Sequence, residues 1–172
     1  MKALWNVVAA SVTGTSHAKT GDPCQDRHAF RTLENGVVIL GVADGAGSAE
    51  RAGEGAECAL HAGMAALEAG LAAGLPTDQE AWEALLTEAF SQARQAVVEL
   101  AERENQPLRD FSTTLTVALA GPAWLVTGQI GDGVVVAQTE TGELFTATEP
   151  QHGEYAGETF FLTMENALDL VA

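Results

Sequence analysis

Seven consecutive residues without a polar side chain, Val37-Val38-Ile39-Leu40-Gly41-Val42-Ala43, stop at Asp44-Gly45 and a glycine-rich loop. A run this apolar and this short reads as a strand buried on both faces. Its carboxyl end delivers one carboxylate to the edge of a core, and the glycine that follows leaves a backbone carbonyl unobstructed. A carboxylate beside a free carbonyl oxygen suits a hard divalent cation such as Mg2+ or Mn2+. An Asp-Gly step after a strand is also an ordinary turn, so the pair alone supports either reading.

The rest of the chain arranges itself around that strand. Leu4 to Val12 reads as a first strand, and a polar loop follows from Thr13 to Asp26. Ala29 to Thr32 begins a second strand, which Glu34-Asn35-Gly36 turns back into the apolar run. Leu60, Met64, Leu67 and Leu71 then recur at helical spacing up to Gly74-Leu75-Pro76. Thr77-Asp78-Gln79-Glu80 has the spacing of a capping box with Thr77 as N-cap. The helix it opens carries Trp82, Leu85, Leu86, Ala89, Phe90, Ala93, Val97 and Leu100 on one side and ends before Pro107. Both apolar stripes read as core packing.

Past Phe111 the texture changes to strands. Thr114 to Leu119 alternates as a half-buried strand should, and Trp124 to Ile130, Val134 to Gln138 and Glu143 to Thr146 follow it. Gly121-Pro122, Gly131-Asp132-Gly133 and Glu140-Thr141-Gly142 supply the turns. Connections this short imply an antiparallel meander, and strands on either side of two long helices imply an α+β domain.

At 172 residues the chain suits one domain, residues 1–172, with a substantial core. Twenty-four acidic residues against 8 basic give a formal net charge of −16. That surface repels phosphate backbones and anionic lipid, which excludes nucleic acid and bare membrane as partners, and it favours cations. Cys24 and Cys58 lack metal-finger spacing and read most plainly as isolated thiols of a reducing compartment, a single disulfide between them being the other reading. The start of the chain has no long apolar stretch of the signal-peptide kind, and nothing approaches a membrane span, so a cytoplasmic location is expected.

Asp26, Asp44 and Asp132 each adjoin a predicted strand, in a loop and not on a solvated helix face. If the strand ends converge, the three carboxylates line one cleft, raise one another's pKa and call for a cation between them. Three independent turn aspartates are the other reading.

Four segments in order resemble the metal-dependent serine/threonine phosphatases of the PPM (type-2C) family, in its bacterial branch. They are Gly14-Thr15-Ser16-His17 through Gln25-Asp26, Val42 through Ser48, Ser112-Thr113-Thr114-Leu115, and Gly128-Gln129-Ile130-Gly131-Asp132-Gly133. Gly153-Glu154-Tyr155-Ala156-Gly157-Glu158-Thr159 followed by Phe161-Leu162-Thr163 adds a fifth. The resemblance implies a four-layer α-β-β-α sandwich: two antiparallel sheets flanked by helices, with two Mg2+ or Mn2+ ions at one end in the complete domain. It implies that Asp44 bridges the metals, that the Gly45 carbonyl holds one, and that Asp26 acts through metal-bound water. It implies that Asp132 lies near the metals or helps hold an additional one, and that Thr113 and Thr114 support the site. The implied reaction is hydrolysis of phosphoserine and phosphothreonine in a phosphoprotein substrate by a metal-activated water.

The chain departs from that pattern twice. Gln25-Asp26 stands where the family has a Glu-Asp pair, and no arginine precedes it. His17 and Lys19 are the nearby basic groups, with His17 placed to bind phosphate or protonate the leaving group. Furthermore, the family's Ser-Asp-Gly segment and final metal-binding aspartate have no counterpart before Leu168-Asp169-Leu170-Val171-Ala172. The C-terminal part of the domain is thus missing in this reading, and the isolated chain is expected to turn over weakly or not at all. A catalytically silent phosphatase-like binding or regulatory module is the alternative, and self-association through an uncovered sheet edge is a further expectation.

Overall fold

The computed structural model describes residues 5–21, 23–153 and 159–172, with only the backbone of residues 16, 17 and 20. Four strands form one antiparallel sheet in chain order: β1 (Arg27–Thr32), β2 (Val38–Ala43), β3 (Leu115–Gly121) and β4 (Trp124–Ile130). A short helix α1 (Thr15–Thr20) precedes β1. Between β2 and β3 the chain makes two long helices, α2 (Ala52–Ala73) and α3 (Gln79–Glu104), and a 3-10 turn at Leu108–Phe111. A hairpin of β5 (Val136–Gln138) and β6 (Leu144–Thr146) forms a second antiparallel sheet. This is the expected α+β arrangement of two antiparallel sheets with helices packed outside, carried here by one helical layer.

Register explains how the helices seat. Ile39, Leu119 and Val126 form one cross-strand row, and Gly41, Val117 and Gly128 form the next on the same face. The two glycines leave gaps in that row. Leu60 and Met64 of α2 fill the one over Gly41, and Phe90 and Leu86 of α3 fill the one over Gly128. Ile39, Leu60, Leu67, Phe90, Leu119 and Ile130 are all at most 1% exposed and form the centre of the core.

Several expectations are corrected. Residues 5–14 form no strand: Val8 and Val12 are 96% and 78% exposed, so their alternation buries no face that could pin a register. The segment is tied by side chains instead, Trp5 Nε1 to the Gly36 carbonyl at 3.2 Å and Ser11 Oγ to His28 Nδ1 at 2.8 Å. The N-cap of α3 is Asp78, whose carboxylate accepts the Ala81 N–H at 2.9 Å, and not Thr77. Aspartate is the stronger cap, and choosing it moves Glu80 out of the capping-box position. The apolar run is not closed on both faces throughout, because Val42 is 49% exposed on the side away from the helices. β3 is buried along its whole length, being a central strand whose outer face is partly roofed by Val134 to Val136.

The meander also breaks after β4. Gly131 adopts φ +116°, a conformation that L side chains rarely take, and the chain leaves the first sheet there. It is anchored in its new course by the Val135 N–H donating to Thr148 Oγ1 and the Ala147 N–H donating to the Val135 carbonyl, at 2.9 and 2.8 Å. Farther on, Ala172 and Gln129 exchange N–H···O bonds of 2.9 and 3.2 Å along the open edge of β4.

Candidate active site

Strand register decides where the three aspartates fall. Arg27 lies opposite Ala43, so Asp26 and Asp44 are the next residues beyond that end of the β1–β2 ladder. Val42 pairs with Thr116, and Thr116 with Gln129, so the turn after β4 brings Asp132 back to the same end of the sheet. Asp26, Asp44 and Asp132 line one cleft of about 370 Å3, together with Ser11, His28 and Thr116. A smaller hollow of about 120 Å3 adjoins it, bounded by Gly14, Cys24, Asp26, Asp44 and Gly45.

Two threonines fasten the Asp44 main chain. Its N–H donates to Thr114 Oγ1 at 2.9 Å, and its carbonyl accepts the Thr114 N–H at 2.9 Å and Thr113 Oγ1 at 3.0 Å. The Ala46 N–H donates to the Ser112 carbonyl at 2.9 Å, which makes Gly45 and Thr113 a non-hydrogen-bonded bridge pair. In such a pair the carbonyl points away from the partner strand, so Gly45 O is free of this ladder. The absence of a side chain at Gly45 has a further cause: a Cβ there would stand 2.9 Å from the Ala52 backbone at the start of α2.

The carboxyl of Asp44 is pushed up to about 6 from an ordinary 3.8. Partial removal from water is the largest cause, followed by a hydrogen bond with the Asp26 carboxyl, then the charges of Asp26 and Asp132. Both Asp26 and Asp44 are exposed at the cleft mouth by surface area, so the desolvation comes from crowding and not from deep burial. Arg27 does not relieve the pair: its guanidinium bonds the carbonyls of Cys24 and Asp26 at 2.9 and 3.1 Å and reaches Glu57 at 3.5 Å.

A divalent cation fits this donor set in kind. Two crowded carboxyls, a third carboxylate in the same cleft and an outward backbone carbonyl are hard oxygen donors with excess negative charge. The fit is incomplete in number. Among the described residues, no three carboxylate, imidazole or thiol groups are gathered tightly enough to hold a metal ion.

The remaining candidates fall differently. His17 has its backbone in α1, and its side chain lies outside the described residues, as do residues 154–158 of the fifth resembling segment. Asp169 sits in a 3-10 turn at Ala167–Leu170 and is not among the residues that line the cleft. Three residues of the cleft, Thr116, Ser11 and His28, and Cys24 of the adjoining hollow escape sequence reasoning. Thr116 has a readable signal, being two residues beyond Thr114 on the same face of a strand. The Ser11–His28 pair and Cys24, whose Sγ is 3.7 Å from Asp26 Oδ2, are brought in by tertiary structure alone.

A helix-backed antiparallel sheet that gathers aspartates from three strand ends into one oxygen-rich cleft defines a carboxylate-centred α+β domain. The chain belongs to the protein phosphatase 2C family, whose model matches residues 13–171. It is 34% identical over 168 residues to serine/threonine-protein phosphatase 3 of Escherichia coli K12, which covers 95% of this chain and 65% of that protein. The fold is similar to that of a serine/threonine phosphatase from Staphylococcus aureus, with a TM-score of 0.60 at 15% identity over 83% of this chain and 52% of the other. A serine-threonine phosphatase 2C from Toxoplasma gondii gives 0.55 at 14% identity over 77% and 47%. The chain thus spans about two thirds of its Escherichia coli relative and half of the solved phosphatases.

Proposed function

We propose that this chain carries the Asp44 half of a phosphatase centre that hydrolyses phosphoserine and phosphothreonine in proteins with the help of Mg2+ or Mn2+. The observation that carries the reading is the convergence of Asp26, Asp44 and Asp132 on one cleft, where crowding raises the pKa of the Asp44 carboxyl. Asp44, the Gly45 carbonyl and Asp132 are the groups that would hold a divalent cation, and Asp26 would orient water beside it. Bound divalent cations supply a water of lowered pKa and offset charge on the phosphoryl oxygens. Thr113 and Thr114 hold the Asp44 backbone so that its carboxylate stays at the strand end. His17 is assigned the proton donated to the serine or threonine oxygen as the P–O bond breaks. Cys24 and Cys58, both free thiols, take no covalent part and agree with a cytoplasmic setting.

The test is Mn2+-dependent release of phosphate from a phosphothreonine peptide by the isolated chain, with Asp44→Ala beside it. Release that depends on both Mn2+ and Asp44 supports the reading, and release that survives Asp44→Ala removes it. A second reading, a phosphoprotein-binding module without turnover, is favoured by the incomplete set of metal-ligating side chains among the described residues. Retention of the phosphopeptide without phosphate release, measured by calorimetry, distinguishes the two.

A further inference from the structure

Thr116 is the unexplained residue of the cleft. Its side chain is 3% exposed, and its Oγ1 has no hydrogen-bond partner. A buried hydroxyl without a partner is destabilising and rare in a folded protein. Thr113 and Thr114 both spend their hydroxyls on the Asp44 main chain, but nothing of that kind is offered to Thr116. Valine would fill the same volume without leaving an oxygen unpaired.

What faces the hydroxyl is the loop that carries Asp132. A Cβ built on Gly133 would lie 2.2 Å from Thr116 Oγ1, so the Gly133 main chain rests against that hydroxyl. A Cβ on Gly131 would in turn lie 2.5 Å from Thr114 Cγ2. The Asp132 loop is thereby seated on two threonines of β3, one already bonded to Asp44 and the other with a donor to spare. Asp132 and Thr116 line the same cleft.

We propose that Thr116 is a positioning residue for the third carboxylate: with a divalent cation in the cleft, its hydroxyl donates to Asp132 and holds that carboxylate toward Asp44. The inference rests on the cation-binding reading above. Asp26 and Asp44 repel Asp132 through their charge, and a cation between them would outweigh that repulsion by attracting all three. That attraction would bring the carboxylate to a donor that is already buried beside its loop.

The test is Mn2+ binding to the whole chain by titration calorimetry, with thermal unfolding in EDTA as a readout of the fold. Thr116→Val should melt in EDTA no lower than the parent, since it removes an unpaired oxygen, yet bind Mn2+ about fivefold more weakly for one lost hydrogen bond. Thr116→Ser should bind within about twofold of the parent, because it keeps the donor. Combined with Asp132→Asn, Thr116→Val should cost little more than Asp132→Asn alone, as expected of two residues acting through one contact. Parent-like Mn2+ affinity in Thr116→Val, or a full additional loss on the Asp132→Asn background, overturns the assignment. Failure of the parent to bind Mn2+ through Asp44, tested with Asp44→Ala, removes the cation reading and this inference with it. Binding through Asp44 that ignores Thr116 removes only the inference.

Discussion

Thr114 grips Asp44 on both polar groups of its main chain, with its hydroxyl accepting the Asp44 N–H and its own N–H donating to the Asp44 carbonyl, each at 2.9 Å. The pair joins the end of β2 to the start of β3 across 70 residues of sequence. Thr114→Val keeps the shape and removes the acceptor, which leaves the Asp44 N–H unsatisfied in a part-buried place. The expected cost is about 1–3 kcal/mol in urea unfolding, with Thr114→Ser close to the parent. An unchanged unfolding midpoint in the valine variant would show that the bond contributes nothing.

The raised pKa of Asp44 makes stability depend on pH in a known direction. With a folded value of about 6 against 3.8, the folded chain holds this proton more tightly than the unfolded one. Stability from this group is therefore full below about pH 4, falls as pH rises to about 6, and stays low above it. Asp44→Asn removes the penalty, so in EDTA it should melt higher than the parent at pH 7 and the gap should close toward pH 4. Solvent at the cleft mouth reduces the effect to about 1 kcal/mol, or roughly 2–4 °C in a domain of this size. A gap that is constant from pH 4 to 7 would contradict the raised pKa of Asp44.

Most of the architecture was readable in the chain because apolar period and turn residues are local signals. The two helices, the turn at Asn35-Gly36 and the three aspartates at strand ends all follow from such signals. What sequence could not supply is whether those ends meet. That depends on the Arg27↔Ala43 and Thr116↔Gln129 registers, which set long-range pairing. The false first strand has the same origin, since the alternation around Trp5 to Val12 has no face to bury. Thr116 illustrates a third limit: its residue type is visible, but only the loop folded against it shows that its hydroxyl lacks a partner.

Close approach of α2 to the turn at Leu108–Phe111 yields a contrast between two helical glycines. A Cβ on Gly55 would lie 2.0 Å from the Phe111 carbonyl oxygen, an obstacle of main chain that cannot rotate away. A Cβ on Gly70 would meet Leu85 Cδ1 at 2.3 Å, the end of a side chain with other rotamers. Gly55→Ala should cost about 2–3 kcal/mol by overpacking. Gly70→Ala should be neutral or stabilise by up to about 1 kcal/mol through helix propensity. Equal effects of the two in chemical denaturation would mean that α2 does not rest on that turn.

In the proposed cation-binding site, a cation and the Asp44 proton would compete for the same oxygens, so the response to Mn2+ should itself depend on pH. A cation that binds only the folded chain raises its stability by an amount that grows with the ratio of free cation to Kd. At pH 5 the Asp44 carboxyl is mostly protonated and the ratio falls; at pH 7 it is mostly ionised and the ratio rises. Millimolar Mn2+ should therefore raise the melting temperature clearly at pH 7 and several-fold less at pH 5. The acidic surface is a competing explanation, because a net charge of −16 attracts any divalent ion. Asp44→Ala separates the two: it removes one of 24 acidic residues, so diffuse attraction is almost unchanged while the cleft loses its central donor. A melting shift that persists in that variant at pH 7 would assign the effect to the surface, and a shift that disappears would assign it to the carboxylate at the end of β2.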